Sequence, residues 1–255
     1  MSRLLEGKKA IITGASSGIG LGIAQVFARE GADVVITCRE NTAGLEAALA
    51  QLRALGGKAT GLQADLSQIA EIDRLIETAV KALGRLDILV NNAGTTERSP
   101  FLDVTPAMFE RVYGINARGT FFCAQRAAHV MVKQGHGRII NISTFQTENV
   151  TGNSSVYIST KGAIDQMTRA MAFELAPHNI QVLTLSPGLV PVEKEPLTPA
   201  DQAKYKPYIP YGRFGLPEDI GETAAFLASD RCKFMTGARI VVDGGQSVPL
   251  YFPPR

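Results

Sequence analysis

Tyr157 is followed four residues later by Lys161, in the run SSVYISTKGA. A phenol exchanges protons poorly near neutrality, because its unperturbed pKa is about 10. A neighbouring ammonium favours the phenolate and brings the group toward the working range. On a helix, residues four apart share one face. Tyr157 and Lys161 would then form a helix-borne acid–base pair. A surface tyrosine beside a solvated lysine gives the same spacing, so the pair draws its meaning from the elements around it.

Those elements are short apolar runs separated by amphipathic stretches. The runs are KKAIIT, ADVVITC, GKATGLQ, LDILVNNAG, GRIINIS, IQVLTLS and ARIVVDGG. Several carry near-continuous Val, Ile and Leu, the mark of strands covered on both faces in a parallel sheet. Between them apolar residues recur at helical spacing: Ile19, Ile23, Val26 and Phe27, then Leu45, Leu49, Leu52 and Leu55, then Ile69, Ile72, Leu75, Ile76, Ala79 and Leu83. Strand and helix alternating in this way imply right-handed crossovers and an α/β fold with a doubly wound parallel sheet.

Two stretches, 106–134 and 154–176, predict long helices. The second is apolar or small on more than one face, through Ala163, Ile164, Met167, Ala170, Met171 and Leu175. A helix with more than one apolar face is buried more than once. The expectation is a subunit interface on these two helices. LPEDIGETAAFLASD opens with Pro217, Glu218 and Asp219, which are ordinary helix-start signals and carry no chemistry.

The 255 residues carry a net charge of +2 with acids and bases interspersed. That balance gives no support to a nucleic-acid or membrane partner. No linker, repeat or composition shift divides the chain, so residues 1–255 are expected to form a single domain. The start has no long apolar segment with a cleavage site, and no apolar run is long enough to span a bilayer. Cys38, Cys123 and Cys232 are odd in number and far apart, as buried thiols of a reducing compartment would be. His129, His136 and His178 have no metal-ligand spacing. The expected location is the cytoplasm, with no metal.

After the first run comes TGASSGIGLG, with Gly14, Gly18 and Gly20. Small residues let the backbone approach a pyrophosphate, and the first N–H groups of the following helix point at the anion. The spacing is G-x-x-x-G-x-G, which differs from the common G-x-G-x-x-G fingerprint.

Taken together, these motifs resemble the short-chain dehydrogenase/reductase family over about 5–247. TGASSGIG (13–20), Asp65, NNAG (91–94), Asn116, NIST (141–144), YISTK (157–161), PG (187–188) and TGARIVVDGG (236–245) carry the resemblance. It implies a Rossmann-like sheet of seven strands in the order 3-2-1-4-5-6-7. It also implies roles for matching residues. Gly14, Ser16, Ser17, Gly18, Ile19 and Gly20 would hold the pyrophosphate and adjacent ribose. Asp65 and Leu66 would border the adenine, and Asn92, Ala93 and Gly94 would shape the strand end beneath the cofactor. Tyr157 would be the acid–base residue, with Lys161 on the nicotinamide ribose. Asn116 would kink its helix and hold a relay water. Pro187, Gly188 and Val190 would lie along the nicotinamide.

Two positions depart from the family pattern. The family's carbonyl-orienting serine usually lies 13 residues before the tyrosine, and here Thr144 stands in that place with Ser143 beside it. Either hydroxyl could serve; alternation along a strand allows only one to face the site, and Thr144 is the preferred one. The family often has a threonine soon after PG, where this chain has Pro191, Val192 and Glu193.

At the end of the second strand an acid would favour NAD. VVITCRE has Cys38 there, then Arg39, whose fixed fork of donors suits a 2′-phosphate. NADP is therefore the expected cofactor, with NAD as the alternative and Glu40 as the counterweight. The expected reaction is hydride transfer between nicotinamide and a carbonyl or secondary alcohol. Gln146, Glu148, Asn149 and Asn153 make a polar rim suited to a small-molecule substrate such as a sugar, a polyol or another hydroxy compound. Residues 190–215, with Lys204, Tyr205, Lys206, Tyr208 and Tyr211, read as a substrate lid. The tail SVPLYFPPR is expected to cover a neighbouring site or to be disordered. The expected assembly is a homotetramer or homodimer. The alternatives are a 3-oxoacyl-carrier-protein or general carbonyl reductase, with Arg126, Lys133 and Arg138 as a docking patch, and a catalytically silent nucleotide sensor.

Overall fold

The computed structural model describes residues 3–193 and 197–248. Residues 194–196 of the expected lid and 249–255 of the tail lie outside the described residues. Seven strands form one parallel sheet: β1 (Lys9–Ile12), β2 (Asp33–Cys38), β3 (Ala59–Gln63), β4 (Ile88–Asn91), β5 (Gly137–Ile142), β6 (Ile180–Pro187) and β7 (Arg239–Val242). Their order is β3-β2-β1-β4-β5-β6-β7, as the resemblance implies.

Successive strand residues feed opposite layers, which is why the runs are apolar throughout. Ile12, Val34, Ile36, Ile140 and Leu183 join one core with helices α1 (Gly18–Arg29), α2 (Thr42–Ala54) and α8 (Pro217–Ala228). Their neighbours Ile11, Val35, Ile139 and Val182 join the other core, with α3 (Ile69–Leu83) and α5 (Thr120–Gln134). On α3 the stripe Ile72, Leu75 and Ile76 is buried. Each such side chain stabilises the packed layer by about 1.5–3 kcal/mol over leaving it in water.

The stretch 106–134 is not one regular helix. α4 (Pro106–Tyr113) passes into a π-helical segment, Gly114–Gly119, before α5 begins. The stretch 154–176 forms a continuous α6 (Ser155–Leu175). The lid region contains a short helix, α7 (Pro199–Tyr205), opened by a reciprocal cap between Thr198 and Asp201. All three cysteines are buried and no disulfide joins them. Among the described residues no helix is long and apolar enough to cross a membrane.

The chain runs outward from β1 to β3, then returns to β4 beside β1 and runs the other way. Loops leaving β1 and β4 therefore diverge, and a crevice opens beyond their carboxyl ends.

Candidate active site

The turn after β1 is tied to the end of β4. Thr13 Oγ1 accepts from the backbone N–H groups of Asn92 and Ala93, both at 3.0 Å. Asn92 Nδ2 donates to the carbonyls of Thr13 and Gly14 at 2.9 and 3.0 Å. Gly14 has φ +64°, and a Cβ on it would lie 2.8 Å from the Ala93 Cα. Only glycine fits that turn without strain. Ser17 is extended and its side chain does not cap α1. The first-turn N–H groups of α1 are thus left for an anion.

At the other end of the crevice α6 presents Tyr157 and Lys161 on one face. Lys161 is 5% exposed. Its Nζ donates to the Ile142 carbonyl at 2.7 Å and lies 5.8 Å from the centre of the Tyr157 ring. Burial pushes the Lys161 ammonium down to about 8, with Asp165 acting in the opposite direction.

The two candidate hydroxyls are used differently. Ser143 Oγ donates to the carbonyl of Lys161 at 3.3 Å, which turns it toward α6. Thr144 remains extended, at φ −159° and ψ 154°, and its Oγ1 accepts from the Gln146 N–H at 3.3 Å. That acceptor role leaves the hydroxyl proton to donate.

Asn116 is fully buried in the π-helical segment. Its Oδ1 accepts from Thr95 N–H at 2.8 Å, and its Nδ2 donates to Thr95 O at 2.9 Å and to Thr160 Oγ1 at 3.1 Å. It stands beneath the crevice and does not line it. π-segments inside helices often accompany functional sites.

The crevice encloses about 750 Å³. Every candidate cofactor residue lines it except Val190, and so do Tyr157, Lys161, Ser143 and Thr144. Val190 lines a second cavity of about 270 Å³, with Tyr211 and Arg213. Two residues further on, Val192 lines the main crevice, its Cγ1 3.1 Å from where a Cβ on Gly18 would be. Thr37, Asn41, Thr95 and Thr96 also line it, and nothing in the sequence assigns them a role. Most are loop or strand-end neighbours of the motifs, so proximity to a motif was the available signal.

The polar rim is largely committed to other contacts. Glu148 pairs with Arg239, Asn149 Nδ2 donates to Ser247 O at 3.2 Å, and the Asn153 carbonyl accepts from Ser99 N–H at 2.9 Å. Gln146, Glu148, Asn149 and Asn153 do not line the crevice, nor do Lys204, Tyr205, Lys206, Tyr208 or Tyr211. Arg39 lines it at the β2 end, half exposed, with Nε 2.9 Å from Glu40 Oε1. Among the described residues no three metal-ligating groups come together. Uncapped N–H donors, a glycine floor and a buried ammonium along one crevice fit a dinucleotide.

A family model described as enoyl-(acyl carrier protein) reductase matches residues 14–247. An uncharacterized oxidoreductase of Methylorubrum extorquens is 40% identical over 245 residues, 94% of this chain and 98% of that protein. L-rhamnose 1-dehydrogenase (NAD(P)(+)) of a Sphingomonas strain is 34% identical, over 97% of this chain and 99% of its own length. A short-chain dehydrogenase from Burkholderia cenocepacia, solved in complex with NADP, superposes with a TM-score of 0.91 at 30% identity, covering 96% of this chain and all of that one. On these grounds the chain belongs to the short-chain dehydrogenase/reductase family, and it is an oxidoreductase that interconverts CH–OH and C=O with a nicotinamide cofactor.

Proposed function

We propose that this chain transfers a hydride reversibly between NADP(H) and the carbonyl or secondary alcohol of a sugar, a polyol or a related polar hydroxy compound, with Tyr157 as the acid–base residue. The observation that carries the reading is the buried Lys161 ammonium 5.8 Å from the Tyr157 ring, in the same crevice as the phosphate turn.

The nicotinamide, when bound, supplies or accepts the hydride. This chain's residues do the rest. The turn from Gly14 to Gly20 holds the pyrophosphate, Asp65 and Leu66 border the adenine, and Asn92, Ala93 and Gly94 form the floor. Pro187, Gly188 and Val192 flank the nicotinamide. Lys161 holds ribose hydroxyls and stabilises negative charge on the Tyr157 oxygen. In reduction Tyr157 gives its proton to the substrate oxygen, and in oxidation it takes that proton back. Thr144 donates to the same oxygen, while Ser143 secures the start of the loop against α6. Asn116 fixes Thr95; its Oδ1 keeps one acceptor position beside Gly94, where the relay water would sit.

NADP is favoured over NAD by Arg39, at the crevice lip. The NADP complex of the Burkholderia relative supports a nicotinamide dinucleotide, and the choice of NADP rests on Arg39. The L-rhamnose dehydrogenase relative supports a sugar or similar substrate. A carrier-protein substrate finds less support. Arg138 spends its guanidinium on the carbonyls of Leu227 and Cys232, and Arg126 pairs with Asp73, so the docking patch is broken up.

The chain acts as one domain in the cytoplasm, in a homodimer or homotetramer. Exposed Phe109, Phe121 and Phe173 on α4, α5 and α6 support the assembly. The deciding experiment follows NADPH or NADP absorbance against a panel of sugars, polyols, diketones and acyl thioesters. Turnover confined to acyl thioesters would replace the substrate assignment. Tight cofactor binding with no turnover on the whole panel would favour a sensor.

A further inference from the structure

Arg239 begins β7 and lies outside the crevice, yet its guanidinium reaches four residues on three other segments. Nε donates to Ser186 Oγ on β6 at 2.9 Å and lies 3.4 Å from Asp165 Oδ2 on α6. Nη2 donates to the Thr144 carbonyl at 3.0 Å, and Nη1 pairs with Glu148 in the loop beyond. The side chain is 18% exposed. A guanidinium is a rigid planar fork of donors, so partners on three segments fix its orientation and it fixes theirs.

Thr144 is where such a clamp has most effect. The strand ladder has ended, with β5 closing at Ile142 and one last bond from Ser143 N–H to Leu185 O. Beyond it the Thr144 carbonyl is held by Arg239 and, at 3.3 Å, by Thr147 Oγ1. Rotation of that peptide would swing the Thr144 hydroxyl.

Asp165 anchors the clamp. It follows Lys161 by one helical turn, as Lys161 follows Tyr157, so the three share one stripe of α6. One of its oxygens is sealed from solvent. Burial pushes its carboxyl up, while the Ser143 and Thr147 hydroxyls, the Arg239 guanidinium and the Lys161 ammonium favour the charged form.

We infer that Asp165 and Arg239 are positioning residues: seated against Asp165, Arg239 holds the Thr144 backbone and so aims the Thr144 hydroxyl at the reacting oxygen. The inference rests on the proposed role of Thr144 in hydride transfer.

A partly buried ion pair with a purely structural role makes a different prediction. Removing one partner destabilises, and removing both restores stability and everything that depends on it. The test therefore compares Arg239→Met, Asp165→Asn and the double variant in the full chain. Melting, NADPH binding, kcat and KM are measured for each. Arg239→Met should melt lowest, because it strands the Asp165 carboxylate. The double variant should recover most of that loss and bind NADPH as the wild type does. Its kcat should stay about 10- to 100-fold down with KM little changed, the cost of a misplaced reacting group. A double variant with wild-type kcat overturns the inference. If the double variant does not fold, Asp165→Asn alone decides, by the same split between kcat and NADPH binding.

A crystal structure of the double variant gives a readout that needs no substrate. A displaced Thr144 hydroxyl supports the clamp, and an unmoved one refutes it. Tyr157→Phe serves as the separate control. Full turnover in that variant would remove the proposed chemistry, whatever Arg239 does.

Discussion

The Lys161 ammonium lies 5.8 Å from the centre of the Tyr157 ring and is anchored on the Ile142 carbonyl, 2.7 Å away. The anchor leaves the ammonium two further donors for ribose hydroxyls. Its charge lies beside the phenol at the wall of the crevice. Tyr157→Phe keeps the ring and removes only the hydroxyl. Its kcat should fall by about 10²- to 10⁴-fold, the usual worth of a general acid–base group. NADPH affinity, by fluorescence titration, should stay within about twofold. Retained turnover would refute the acid–base assignment.

The same lysine makes stability depend on pH in a defined direction. Lys161 titrates near 8 in the fold against an ordinary value of 10.5. A base whose folded pKa is lowered binds fewer protons folded than unfolded between those limits, so stability rises with pH there. Below pH 8 the cost of the buried charge is fully present, and above 10.5 it is gone. Lys161→Met lacks this slope. Going from pH 8 to about pH 10, urea unfolding should show the wild type gaining on the variant by about 2 kcal/mol. Parallel profiles would mean that Lys161 is not buried as a cation.

Much of this arrangement is legible in the sequence, for a physical reason. A sheet covered on both faces must be apolar at adjacent positions, and Ile11 and Ile12 enter different cores. The turn glycines and the tyrosine–lysine pair are local patterns, so they can be read locally. Arg239 cannot. Its hydrogen-bond partners lie 53 to 95 residues away, and a lone arginine in a strand carries no periodic signal. Val190 and Val192 illustrate the same limit. The loop after β6 is aperiodic, and which valine reaches the crevice depends on distant glycines: Gly215 beside Val190 and Gly18 beside Val192. The π-helical segment at Gly114–Gly119 has no mark in the apolar periodicity of 106–134, and only the family resemblance, through Asn116, points to a break there.

The proposed preference for NADP turns on an exposed ion pair. Arg39 faces the crevice lip but shares its guanidinium with Glu40. Such a pair is worth about 0.2–1 kcal/mol. Glu40→Ala frees the fork, so NADPH should bind about two- to fivefold more tightly with NADH unchanged. Arg39→Asp should reverse the preference, since a carboxylate accepts from ribose hydroxyls and repels a phosphate. Titration of both cofactors against the three proteins checks this. Unchanged ratios would exclude Arg39 as the selector.

Ser143 and Thr144 separate cleanly by their partners. Thr144→Ala deletes the hydroxyl proposed to donate to the substrate oxygen, and kcat should drop about 10²- to 10³-fold, as for one lost oxyanion donor. Thr144→Ser should keep most of the rate. Ser143→Ala loses the bond to the Lys161 carbonyl, a stability effect of about 1 kcal/mol, with kcat nearly intact. Steady-state kinetics beside thermal melts would expose the reverse pattern, which would transfer the role to Ser143.

Gly14 tests the phosphate turn against a matched control. A Cβ there meets the Ala93 Cα at 2.8 Å and also takes a left-handed backbone, whereas Gly84 shares the positive φ with nothing within 4 Å. Both alanine variants should therefore lose about 1–3 kcal/mol to backbone strain, or roughly 2–4 °C of Tm per kcal/mol. Only Gly14→Ala must also move the ends of β1 and β4 apart, because Asn92 ties them together. Its NADPH affinity should fall at least tenfold beyond anything seen in Gly84→Ala. Equal binding in the two variants would mean that the turn does not cradle the pyrophosphate.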